Sequence, residues 1–210
     1  MSQPTLFDSM DVAPSPLTDG ERGRITYAPQ FVEAAEAAAW FDELRTAVHW
    51  RSERRMMYDR EVDVPRLIGH FRLDPAGPST PDAILQAAAR VITHTGVPFN
   101  SVGLNLYRDG RDSVAPHHDH LNELREGFPI ALLSLGATRR MTIRAKLPPR
   151  RVIHVDLEPG SLLLMEYATQ LHYTHGVPKT TEPVGERISL AFRVKPARDP
   201  AAGEGGVYRD

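Results

Sequence analysis

Four groups of residues in this chain have types and spacings that could do chemistry. They are His117-x-Asp119 within the run HHDH, His154-x-Asp156, the pair His172 and His175 in QLHYTHGVP, and two arginines, Arg187 and Arg193, in ERISLAFRV. Side chains alternate faces along a strand, so His117 and Asp119 point the same way and can grip one ion. With no cysteine in the chain, thiolate sites and disulfides are excluded, and a metal must be held by nitrogen and oxygen donors, which favours iron, manganese or zinc. A third ligand should come from a strand paired beside the first, and only His172 and His175 follow late enough. They face opposite ways, so at most one joins the pair, and spacing does not choose between them. His154 and Asp156 sit mid-strand with no other convergent polar group and read as strand residues with satisfied hydrogen bonds.

Two imidazoles and one carboxylate leave half an octahedron open, the arrangement by which non-haem Fe(II) oxygenases hold a chelating cosubstrate and dioxygen; zinc hydrolases use the same ligands. The strand ERISLAFRV separates the two readings. Arg187, Ser189, Ala191 and Arg193 share one face, while Ile188, Leu190, Phe192 and Val194 share the other. Arginines facing the inside of a roll need partners. A dicarboxylate such as 2-oxoglutarate supplies them, because a guanidinium matches a carboxylate bidentately and stays charged at any working pH. The alternative is that both arginines are solvent-facing ends of an edge strand.

These residues need elements to hold them. At 210 residues, 41% hydrophobic and 25% charged, the chain is an ordinary globular one, and a single domain over 24–195 is expected. A net charge of −2 excludes a globally basic nucleic-acid binder and leaves a local basic face open. No apolar run approaches a membrane span and the start lacks a signal pattern, so a cytoplasmic protein is expected. Residues 1–23 mix Pro, Ser, Asp and Gly without periodicity and read as a flexible arm; 196–210 read as an irregular tail.

Residues 24–99 carry two amphipathic helices. The first is opened by Pro29 and presents Phe31, Ala34, Ala35, Ala38, Phe41, Leu44, Ala47 and Val48. The second is capped by Thr80 and Pro81, presents Ile84, Leu85, Ala88, Val91 and Ile92, and is ended by Gly96. Between them, WRSERRMMYDREVDVPRLIGHF is either a surface strand pair or a substrate-facing lid, with Met57 or Tyr58 packing on a flat ligand and Arg66 reaching a phosphate. Residues 100–195 read as β throughout, with strands at 101–107, 113–117, 130–135, 140–146, 151–157, 161–166, 171–177 and 187–194. The expected fold is mostly β with N-terminal helices: a double-stranded β-helix (jelly-roll) core with two helices packed on one sheet.

Six ordered motifs then point to one family: N-x-Y-R-D-G at 105–110, H-x-D at 117–119, a later S-L-G, G-S-L-L-x-M at 160–165, T-Q-x-H-Y-x-H-x-V-P at 169–178 and R-I-x-L-x-F-R at 187–193. Over residues 100–194 the chain resembles the AlkB family of Fe(II)- and 2-oxoglutarate-dependent dioxygenases. The resemblance selects His175 and implies Fe(II) bound by His117, Asp119 and His175. It implies that Arg187 holds the distal carboxylate of 2-oxoglutarate, helped by Tyr107, with Asn105 and Arg193 near its chelating end. Ser189 stands where the family often has Asn. The implied chemistry uses dioxygen to decarboxylate 2-oxoglutarate to succinate and to hydroxylate an N-alkyl group on a nucleobase, which then leaves as an aldehyde.

The run RRMTIRAKLPPRR, with Arg139, Arg140 and Arg144 and no acid, reads as a stripe that neutralises phosphates while a base is extracted into a pocket; a solvated hairpin is the alternative. The expected partner is therefore alkylated DNA or RNA, with no membrane, no obligate protein partner and a monomeric chain. Two departures from the family bear on substrate. Repair members tend to carry an acid two places after the metal aspartate, where this chain has Leu121 preceded by His120, and the aromatic-rich recognition hairpin is shortened to IGHFRLDPAGPS. They keep open an oxygenase of the same fold acting on a protein or small molecule.

Overall fold

In the computed structural model, residues 14–18, 20–57 and 60–196 are described, the side chains of 55–57 and 60–63 excepted. In chain order the strands and helices are β1 (Ser15–Pro16), β2 (Ile25–Ala28), α1 (Ala34–Ala47), β3 (Arg51–Met57), β4 (Arg60–Arg72), α2 (Asp82–Thr95), β5 (Ser101–Tyr107), β6 (Val114–His117), β7 (Ile130–Gly136), β8 (Arg139–Ala145), β9 (Val152–Leu157), β10 (Leu162–Met165), α3 (Thr169–His172), β11 (Tyr173–Val177) and β12 (Arg187–Arg193). They form two antiparallel sheets, one ordered β1-β2-β10-β7-β12-β5-β4-β3 and a smaller one ordered β6-β11-β8-β9. The jelly-roll expectation holds.

The alternation read in ERISLAFRV divides the core. Ile188, Leu190 and Phe192 turn outward from the large sheet and bury with Leu104 and Leu133 under Trp40 and Leu44 of α1 and Ile84 and Val91 of α2. Ala191, on the opposite face, lies between the sheets with Leu132, Ile143, Val155 and Leu163. A one-residue slip of β12 would reverse both faces and bury its polar residues against the helices, so the register is fixed by burial on both sides.

Three details differ from the sequence reading. The buried stripe of α1 is Ala37, Trp40 and Leu44, while Ala34, Ala35, Ala38 and Ala47 are exposed. The helix turns to bury Trp40, whose indole N–H donates to Gln86 on α2, because a Trp removes far more apolar area than an Ala. In α2 Leu85 is 41% exposed and Ala83 and Ala87 take the buried positions, since small side chains let the helix approach the sheet. At the N-terminus, Ser15–Pro16 pair with β2, and Leu17 donates its N–H to Ile25, so residues read as part of the arm complete a sheet edge. Residues 1–13 and 197–210 lie outside the described residues. Segment 51–72 is a strand pair, β3 with β4, whose second strand extends the large sheet along β5.

Candidate metal centre and cosubstrate pocket

β6 and β11 are neighbours in the small sheet, and His117 faces His175 across the ladder in direct register. The ring centroids are 4.5 Å apart. Asp119 follows the end of β6, and its Oδ1 lies 3.8 Å from His117 Nε2 and 4.0 Å from His175 Nε2. One donor atom from each of the three residues lies within 4.8 Å of the others, a spacing one ion can bridge. His175 is thus the histidine on the inner face. His172 ends the single turn α3, which interrupts the strand expected over 171–177.

The surroundings fix each donor. His117 Nδ1 is 2.9 Å from the Ala115 carbonyl, which can only accept, so the proton sits on Nδ1 and the Nε2 lone pair points into the site. Asp119 receives Nε–H from Arg193 on Oδ2 at 2.6 Å, and its backbone N–H donates to Gln170 Oε1 at 2.9 Å. Burial lowers the His117 imidazole below its ordinary value, opposed by the Ala115 hydrogen bond. Burial, then the neighbouring His117, pushes His175 down to about 3. Burial raises the Asp119 carboxyl, but the charge and hydrogen bond of Arg193 outweigh it and leave it below the usual carboxylate range. Two neutral imidazoles and an ionised carboxylate are the protonation states a divalent cation needs.

The inner face of the large sheet runs away from this end. Ser189 lies in register between Asn105 and Ser134, and Arg187 between Tyr107 and Gly136. Arg187 is 1% exposed. Its Nη2 donates to Ser134 Oγ at 2.8 Å and its guanidinium lies 5.1 Å from the Tyr107 ring centroid. Among the described residues, Nε and Nη1 are buried without a hydrogen-bond partner. Burial lowers its pKa, with Tyr107 opposing. Two buried, unpaired guanidinium nitrogens are costly unless an anion or another acceptor completes them. A dicarboxylate fits this pocket on that observation, and the donor set of two His and one Asp fits iron.

The structure brings together His117, Asp119, His175, Asn105, Tyr107, Arg187, Ser189 and Arg193 between the sheets. Arg66 joins them, donating Nε–H to Asn105 Oδ1 at 2.7 Å. His120 is exposed and Leu121 opens a short 3-10 turn beside the metal aspartate. The Met57 side chain and Tyr58 lie outside the described residues. The basic stripe does not survive as read. Arg139 is 3% exposed and donates to the backbone carbonyls of Asp109, Asp112 and Pro178, so it faces inward and offers nothing to a phosphate; odd positions of β8 point into the roll. Arg140 and Arg144 are on the outer face, and Arg140 is paired with Asp156. Two residues went unassigned in the sequence, Gln170 and Ser134. Both lie inside motifs quoted for the resemblance, T-Q and S-L-G, and an uncharged polar residue inside a buried motif was the available signal.

A jelly roll with a two-histidine, one-carboxylate cluster toward one end and an incompletely paired buried arginine toward the other defines a non-haem metal enzyme that takes an acidic cosubstrate. Residues 24–193 match the 2OG-Fe(II) oxygenase superfamily. The chain is 31% identical over 209 residues to human "Alpha-ketoglutarate-dependent dioxygenase alkB homolog 3", covering 91% of this chain and 73% of that protein. It spans 65% of the length of the Bos taurus protein of the same name. To the Bos taurus "DNA oxidative demethylase ALKBH2" it is 40% identical over 111 residues, half of this chain and 40% of that one. Its fold is similar to that in "The structure of OsALKBH1", with a TM-score of 0.58 at 15% identity, covering 81% of this chain and 97% of that one. The chain belongs to the AlkB family of Fe(II)- and 2-oxoglutarate-dependent dioxygenases.

Proposed function

We propose that this dioxygenase removes alkyl groups oxidatively from DNA or RNA bases, with His117, Asp119 and His175 holding Fe(II) and Arg187 anchoring 2-oxoglutarate. The observation that carries the cosubstrate assignment is the pair of buried, unpartnered N–H groups on Arg187. The substrate class is supported by the names of the relatives, one of them a DNA oxidative demethylase. When bound, iron with 2-oxoglutarate and dioxygen supplies the oxidation of an unactivated C–H bond, which no amino-acid side chain performs.

The chain's own groups position the reactants. Arg187 would hold the far carboxylate, with Ser134 fixing its guanidinium and the Tyr107 ring lying beside it. Arg66 restrains the Asn105 amide, and with it the wall of the pocket nearer the metal. Arg193 holds the Asp119 carboxylate ionised and aimed. His118 and His120 are exposed and Leu121 is half-exposed beside the metal aspartate, so a base brought to the metal would meet this segment. Among the described residues no helix is long and apolar enough to cross a membrane. A cytoplasmic, monomeric enzyme over residues 24–195 is part of the same proposal.

The test is to incubate iron-loaded protein with 2-oxoglutarate and a panel of methylated DNA and RNA oligonucleotides, following loss of the methyl group by mass. Succinate and formaldehyde in equal amounts are expected. 2-Oxoglutarate turnover with no oligonucleotide losing mass would move the substrate to a protein or small molecule, the reading that Leu121 and the shortened hairpin favour.

A further inference from the structure

Arg139 was expected on the surface, and its position inside the roll suggests a different use. Its guanidinium lies 5.6 Å from the Tyr107 ring centroid, and the Arg187 guanidinium lies 5.1 Å from the same centroid, so two cations share one phenol ring. Arg139 gives Nη1–H to Asp109 O at 2.9 Å and Nη2–H to Asp112 O at 2.9 Å and Pro178 O at 2.8 Å. These bonds tie the turn after β5 to the turn after β11 and close the end of the roll beyond Tyr107. The same turns are packed without slack, since Thr180 donates its N–H to Gly110 O and a Cβ at Gly110 would lie 2.4 Å from Thr180 O.

The charges at this end do not balance. Among the described residues, the three hydrogen bonds of Arg139 go to neutral carbonyls. The nearby Asp112 carboxylate is held by Arg108, with Nε at 2.8 Å and Nη2 at 2.9 Å. Arg187 donates to a neutral hydroxyl. Two buried guanidinium charges therefore flank one phenol ring, and Arg139 helps lower the Arg187 pKa after the larger effect of burial. Such an excess is costly in an empty pocket and becomes attractive once an anion enters.

We propose that Arg139 is a positioning residue for the cosubstrate, bracing Tyr107 against Arg187 and adding a second buried positive charge that selects ligands carrying a distal carboxylate. This rests on Arg187 being the cosubstrate anchor. Arg139 acts through Tyr107 and through its field, and none of its bonds needs to be broken for the ligand to bind.

The experiment compares wild type with Arg139→Gln and Arg139→Lys, using anaerobic calorimetry of Mn(II)-loaded protein titrated with 2-oxoglutarate and with 2-oxopentanoate, which lacks the distal carboxylate. Thermal unfolding monitors the fold. Arg139→Gln should weaken 2-oxoglutarate on the order of tenfold and leave 2-oxopentanoate unchanged. In turnover, the KM for 2-oxoglutarate should rise while kcat at saturation stays near wild type. Arg139→Lys, which keeps the charge and loses the fork, should fall between the two. Should Arg139→Gln not fold, Arg139→Lys decides alone. Wild-type affinity for 2-oxoglutarate in the folded variants, or equal weakening of both ligands, would overturn the proposal. Failure of wild type to bind 2-oxoglutarate at all would instead overturn the underlying assignment of Arg187.

Discussion

Arg193 donates Nε–H to Oδ2 of Asp119 at 2.6 Å while Oδ1 of the same carboxylate faces the two imidazoles. One oxygen is thus spent on orientation and the other left for a metal. Replacing Arg193 with Gln removes the charge that keeps this buried carboxyl ionised, so its proton affinity rises and competes with the metal. Metal affinity should fall about 10–100-fold, measured by Fe(II) or Mn(II) titration at constant pH, with a steeper dependence on pH than in wild type. Unchanged metal affinity would mean that Asp119 is positioned by Gln170 alone.

Arg187 poses the opposite problem, a buried charge that costs stability until its ligand arrives. Arg187→Met removes one hydrogen bond to Ser134 and also removes a desolvated cation with two unsatisfied N–H groups. The ligand-free variant should be no less stable than wild type and more stable by up to about 2 kcal/mol. Wild type should gain about 2.7 kcal/mol from 2-oxoglutarate at a hundred times its Kd, and the variant should gain none. Denaturant melts with and without the cosubstrate check both halves. A ligand-free variant destabilised by several kcal/mol would show that Arg187 already has an adequate partner.

Away from the centre, Asp112 gives a pH signature. Burial raises its carboxyl, but hydrogen bonds from the Arg108 guanidinium and backbone N–H, with the guanidinium charge, outweigh it and leave it below the usual carboxylate range. The folded pKa is depressed, so the stabilisation is complete above the unfolded value and is lost as pH falls through the folded one. Asp112→Asn should cost roughly 1–3 kcal/mol near pH 7. The gap to wild type should close in acid below about pH 4. Denaturant melts across pH test this, and a gap that persists in acid would assign the loss to packing.

Periodicity carried most of the fold because turn residues bound the strands, β8 and β9 alternate buried with exposed positions, and β12 alternates polar and apolar side chains between two buried faces. It failed on α1, where alanines fit either face and only the volume of Trp40 decides. The site divided in the same way. His117 and Asp119 were legible as a local pair, but choosing His175 required knowing that β11 lies beside β6, a non-local fact. Arg139 was misplaced because a run of cations looks alike whether its members alternate into the roll or lie flat on it. Only strand parity relative to the neighbouring sheet distinguishes the two, and that parity depends on a register fixed by burial.

The residue where substrate should be read is Leu121, half-exposed at the start of the turn after the metal aspartate, with Glu123 N–H bonded to His120 O. A leucine offers a base edge no acceptor, so discrimination there rests on shape, and an apolar contact separates similar ligands by only about 1–3 kcal/mol. Leu121→Glu adds an acceptor at a turn whose side chains reach solvent, so the fold should tolerate it. The variant should shift relative kcat/KM on the order of tenfold toward methylated bases that present an N–H donor, a shift that Leu121→Ala, which adds no acceptor, does not produce. Competition between paired oligonucleotides in one reaction, read by mass, gives the ratio directly. An unchanged ranking in Leu121→Glu would place substrate selection elsewhere, on the β3–β4 hairpin.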